Sequence, residues 1–139
     1  MTASVYTGNA YLNHFLRGVA APTPPTTVFV SLHTADPGLA GANEVTVGVW
    51  PGYVRKDLAQ GAAIATAFAA ADAKVTTNSK QMLWDGMDGP DDVTVTHFAI
   101  WSAATGGNLL HFGPLLSART LKPTDEMVIH IGQLLIQVD

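Results

Sequence analysis

Val93-Thr-Val-Thr-His-Phe-Ala-Ile-Trp101 is the stretch that decides the fold, because it is the clearest strand in the chain. Ala103-Ala-Thr-Gly-Gly107 turns it back, and Asn108-Leu-Leu-His-Phe112 reads as the returning strand of a hairpin. Downstream, Pro114 to Leu121 reads as a connection and Lys122-Pro-Thr-Asp125 as a turn. Glu126 to Val138 then predicts one long strand, bulged at Gly132.

Upstream of the hairpin the chain keeps the same character. Asp85-Gly-Met-Asp-Gly-Pro-Asp-Asp92 is a loop, and Lys80-Gln-Met-Leu-Trp84 is a short strand. Gly61 to Ala73 is ambiguous. Its alanines favour helix, whereas alternation at Ile64, Thr66 and Phe68 favours strand, and the β neighbours tip the reading to strand. Tyr53-Val-Arg-Lys56 starts another strand. Gly38 to Gly52 is a long connection, of the kind that is functional or ordered by a neighbour. Asp36-Pro-Gly38 is a turn led by the Asp36 side chain, and Thr27-Val-Phe-Val-Ser-Leu-His33 is a strand. Three prolines, Pro22, Pro24 and Pro25, break any helix before it. From Tyr6 to Gly18 the apolar residues Tyr11, Leu12, Phe15, Leu16 and Val19 form one helical stripe, with Thr7 or Asn9 as cap and Gly18 as stop. The expectation is a mainly β protein, a β-sandwich or jelly roll with a short N-terminal helix. It forms one domain over residues 1–139, with residues 1–25 as helix and proline-rich arm.

Composition narrows the function. Only 13% of the 139 residues are charged and 47% are hydrophobic, so the surface is unusually neutral or is covered by partners. A net charge of −4, with Arg55 and Lys56 as the sole adjacent basic pair, argues against nucleic acid. Without cysteine there is neither a disulfide nor a thiolate zinc site. The first residues lack the pattern of a secretion signal, and no apolar run is long enough to span a membrane, so assembly in the cytosol is expected.

The search for chemistry returns no catalytic residue, no metal site and no cofactor motif. His14, His33, His97, His111 and His130 form no HxxxH, HExxH or HxH pair. His33 is read as a rim or core histidine, and His97 and His130 as hydrogen-bonding histidines in strands. Asp85, Asp88, Asp91 and Asp92 miss the spacing of a calcium loop. No serine lies in a G-x-S-x-G elbow, and neither Gly106-Gly107 nor Gly86 to Gly89 has the rest of a phosphate loop. Trp101 is expected in the core. Trp50, in the long loop, is the better candidate for contacting a partner or a sugar.

Thr94-Val-Thr-His-Phe-Ala-Ile-Trp-Ser-Ala-Ala-Thr-Gly-Gly-Asn-Leu-Leu-His-Phe-Gly-Pro-Leu115 resembles a segment of small tailed-bacteriophage virion proteins. Phe29-Val-Ser-Leu-His-Thr-Ala-Asp-Pro-Gly38, Gly41-Ala-Asn-Glu-Val45 and Tyr53-Val-Arg55 are similar to the same group. Together these cover roughly half the chain, in order; the stretch Val47 to Pro51 departs from the pattern. The resemblance implies a structural role, either as a jelly-roll cement between capsid subunits or as a short tail fibre. The leading expectation is a cementing or decoration protein on the capsid exterior, a homodimer bridging neighbouring major capsid proteins. The alternative is a tail-fibre or baseplate component that recognises a host receptor or glycan. Tyr6, Tyr11, Phe15, Val49, Trp50 and Tyr53 are the expected partner anchors.

Overall fold

The computed structural model describes residues 2–139. A two-residue strand, β1 (Thr2–Ala3), leads into the helix α1 (Val5–Arg17). Ser4 caps α1 by accepting the Thr7 N–H at 3.1 Å, so the cap lies three residues ahead of the earlier of the two expected positions. Gly18 ends the helix in the left-handed conformation at φ 65°, and the Val19 N–H bonds back to the Asn13 carbonyl. The proline-rich arm then runs without regular structure to β2 (Phe29–His33).

Seven further strands follow: β3 (Lys56–Asp57), β4 (Val75–Thr77), β5 (Met82–Trp84), β6 (Val93–Trp101), β7 (Leu109–Leu121), β8 (Met127–Ile129) and β9 (Leu135–Gln137). All pair antiparallel. One sheet has the order β1-β7-β6-β2-β3, and β4-β9 and β5-β8 form two separate ribbons. The main core packs Val30, Leu32, Val95, Phe98 and Ile100 of the sheet with Met82, Trp84, Met127, Ile129 and Ile136 of the ribbons. This is a sandwich of sheet on ribbons. A smaller cluster of Ala99, Trp101, Leu109 and Phe112 lies on the opposite face of β6 and β7. The inner half of β6 therefore buries both faces, whereas at its start exposed Thr94 alternates with buried Val93 and Val95.

β6 has the bounds the sequence predicts, and the hairpin is present. The structure corrects three other expectations. First, Pro114 to Leu121 is not a connection but the continuation of β7. Pro114 falls opposite His97 at a register shift of the β6–β7 ladder, the kind of position a sheet gives to proline. Second, Gly61 to Ala73 is not a strand. It holds a single 3-10 turn at Ile64–Thr66 and two isolated bridges, Phe68 to Asn78 and Asp72 to Val75, because its run of small alanines offers too little side chain to hold a ladder. Third, Glu126 to Val138 is two strands in two ribbons. Gly132, at φ 84°, sits in the turn between them rather than in a bulge. Asn78 anchors that turn. Its buried amide donates to the Lys80 and His130 carbonyls at 2.9 and 3.0 Å and accepts the Leu134 N–H at 2.9 Å.

One edge of the large sheet is only partly closed. β1 covers β7 at His111 and Phe112, and among the described residues no strand pairs with that edge from Gly113 to Leu121.

Candidate interaction surface

Two places in the molecule gather the residues that the sequence singles out. The first is a closed knot around Arg55. Its guanidinium forks onto Glu44, with Nε to Oε1 and Nη2 to Oε2 both 2.9 Å. Nη1 donates to the carbonyls of Ala103 at 3.1 Å and Gly106 at 2.9 Å, and the plane lies 3.9 Å from the centroid of a Trp101 ring. Tyr53 donates its hydroxyl to Glu44 and receives the Leu32 N–H at 2.9 Å. Burial, first, and the facing Glu44 carboxylate push the Tyr53 hydroxyl well above its ordinary range, so it stays protonated. Below the knot Trp101 Nε1 donates to Ser31 Oγ at 2.8 Å, Ser31 bonds His33 Nε2 at 2.7 Å, and His33 Nδ1 bonds the Ala42 carbonyl at 2.7 Å. That carbonyl requires the proton on Nδ1, leaving Nε2 as acceptor from Ser31.

The Ser31–His33 distance is that of a nucleophile and its base, yet both residues are fully buried. A substrate has no path to Ser31 Oγ. The knot's chemistry is internal: it ties the loop 34–55 to the hairpin loop 102–108. Asp36 leads its turn as expected, accepting the Gly38 N–H at 2.9 Å. Among the described residues no three potential metal ligands converge, and no helix is long and apolar enough to cross a membrane.

The second place is α1. Val5, Tyr11, Leu12, Phe15, Leu16 and Val19 all lie on one arc of the helix and its C-terminal extension, and all are exposed, Phe15 at 68% and Leu16 at 74%. Thr7, Gly8, Ala10 and Asn13 are the half-buried positions of the helix; Gly8 lies within the stripe, on the wall of the groove that continues from it. The polar side knits to itself: Arg17 donates to the Asn13 side chain at 2.9 Å, and His14 bonds the Val19 carbonyl at 3.0 Å. The helix thus presents its apolar stripe to the outside, the reverse of a helix that completes its own core. Gly8 sits mid-stripe, and a methyl group there meets nothing within 4 Å. Glycine inside a helix costs about 1 kcal/mol relative to alanine, and nothing in this chain requires it there.

A groove continues from the stripe. Thr2, Ala3, Tyr11 and Leu12 face Gln137 and Val138 across a cavity of about 470 Å³. His111 joins this cavity to a second one of about 240 Å³, walled by Val28, Phe68, Ile100, Leu110 and Ile136. His111 Nδ1 is buried there without a hydrogen-bond partner, and burial lowers the ring's pKa.

The six expected anchors divide. Tyr6, Tyr11, Phe15 and Val49 are exposed. Trp50 and Tyr53 are not: they are 2% and 6% exposed, pack ring to ring at 5.8 Å, and belong to the main core. Their loop folds inward over the sandwich because Gly89 lets the Val49 carbonyl approach closely and Asp88 accepts the Gly52 N–H at 2.9 Å. Trp50 therefore has no free face for a sugar. Sequence reasoning passed over Leu12, Leu16 and Val5 as anchors, although the helical period that located the stripe already contained the first two.

The geometry thus defines an antiparallel β-sandwich that carries an apolar helix facing solvent. The family model described as podophage GP4 fiber I protein gp80 matches residues 2–137, and the chain belongs to that family. It is a structural protein of a phage virion. No curated protein matches the chain.

Proposed function

We propose that this protein is a fibre subunit of a podophage virion, acting through packed protein surfaces and not through catalysis. Membership of a fibre family favours this over the capsid-cementing role that the sequence first suggests. The observation that carries it is the outward stripe of α1, apolar surface that a free monomer would have no reason to keep. The Arg55 knot supports the same reading. It spends the polar side chains of the loops on rigidity, so the body acts as a firm mount for the helix.

Quantitative mass spectrometry of purified virions tests this. A fibre subunit is present in tens of copies or fewer, and immunogold places it at an appendage. Hundreds of copies spread over the shell would return the reading to cementing, and absence from the particle would end both. Recognition of a host glycan has no support from Trp50, which is buried.

A further inference from the structure

We propose that α1 is the contact between two copies of this chain, paired antiparallel about a two-fold axis near Tyr11 and Leu12. The proposal deepens the fibre reading and rests on three observations about the stripe.

The first is area. An aromatic side chain carries roughly 200 Å² and an aliphatic one somewhat less. The exposed fractions of Val5, Tyr11, Leu12, Phe15, Leu16 and Val19 then leave roughly 600 Å² of contiguous apolar surface. A stable interface takes about 800 Å² from each partner. The groove beside Tyr11 and Leu12, walled by Gln137 and Val138, is continuous with the stripe and adds to it.

The second is shape. An antiparallel two-fold pairing centred between residues 11 and 12 sets Gly8 of each copy against Phe15 of the other. Gly8 is the one position in the stripe with no side chain, and the space above it is open. Phe15 is the ring that projects furthest from the body's cover. The stripe therefore carries both a hole and the knob that fits it, at the spacing self-pairing needs.

The third is charge. From Val5 to Leu16 there is no Asp, Glu, Lys or Arg, and Arg17 lies on the opposite side, tied to Asn13. Two such stripes meet without burying a charge. A strongly charged partner surface would find no counterpart on this helix.

Analytical ultracentrifugation and native mass spectrometry of the full chain test the pairing. The wild type should be dimeric at micromolar concentration. Phe15→Ser and Leu12→Ser should each raise the dissociation constant at least ~tenfold, with the near-UV circular dichroism of the tryptophans unchanged. Gly8→Leu separates pairing from folding. It adds helix propensity, and its Cβ meets nothing within 4 Å in its own chain, so the monomer should be at least as helical while the dimer weakens. A monomeric wild type, or a dimer that survives both Gly8→Leu and Phe15→Ser, would overturn the pairing. Either result leaves the fibre reading standing if virions contain the protein. Conversely, a dimer that is missing from virions sinks the fibre reading and keeps the pairing.

Discussion

At Gly41 two requirements coincide. Its φ is +70°, which side chains resist, and a Cβ there would lie 2.5 Å from the Trp101 ring. Gly41→Ala should therefore cost about 2–4 kcal/mol in urea unfolding, combining left-handed strain with overpacking. Arg55→Lys removes the fork and the flat face over Trp101. We expect a loss of about 1–3 kcal/mol, measured the same way, although the charge is conserved. His33 and His111 give the fold a pH dependence. Burial is the largest cause of the lowered pKa at both; at His33 Arg55 and His97 act in the same direction, with the Ala42 bond and Glu44 opposing. The unfolded chain then binds protons that the folded chain refuses. Stability is full above the ordinary histidine pKa of 6.5 and is lost as pH falls below it. The melting temperature should drop between pH 7 and pH 5, and His111→Phe should flatten part of that slope. An unchanged melting temperature across that range would refute the assignment. The members of the knot stand in the stretches that carry the virion-protein resemblance, but the pairing of Glu44 with Arg55 that joins them was not legible. Nor was their direction, because a loop residue's spacing says nothing about whether it faces in or out. Trp50 shows this plainly.

Among the elements, those with strong local signals were readable. α1, β2 and β6 come from periodicity and β-branched runs that no tertiary contact overrides. Gly61 to Ala73 was not readable, since alanine satisfies both templates and the outcome depends on residues 77–79 pinning the segment from outside: the Ala69 N–H bonds the Thr77 carbonyl and the Ser79 N–H bonds the Ala67 carbonyl. Nor was the division of Glu126 to Val138, whose two halves choose different ribbons through Asn78. Asn78→Ala should cost about 2–4 kcal/mol, because three backbone groups lose their partner at once, and Asn78→Asp should restore only the bond to Leu134. α1 has no buried residue, so its stability as a monomer comes from its caps and from the Ser4 N–H bond to Leu110. In hydrogen exchange its amides should open far more easily than those of β6. The gap should narrow as protein concentration rises and the pair forms.

Taken whole, the molecule is a rigid sandwich with one sticky rod. If the rod pairs as proposed, the melting temperature should climb with protein concentration in differential scanning calorimetry, and Phe15→Ser should abolish the climb. The β class and the hairpin at the centre of the sheet were legible, whereas the strand order, the inward turn of Trp50 and Tyr53 and the asymmetry of the surface needed coordinates, since exposure is a property of neighbours. The half-closed edge of β7 is part of that asymmetry. From Gly113 to Leu121 its outer N–H and C=O groups face no strand among the described residues, and the row is blunted by Pro114 and Arg119. Those two residues are the guards against amyloid-like stacking of chains: replacing Arg119 with valine should turn a shippable protein into one that gels on storage, with thioflavin fluorescence as the telltale.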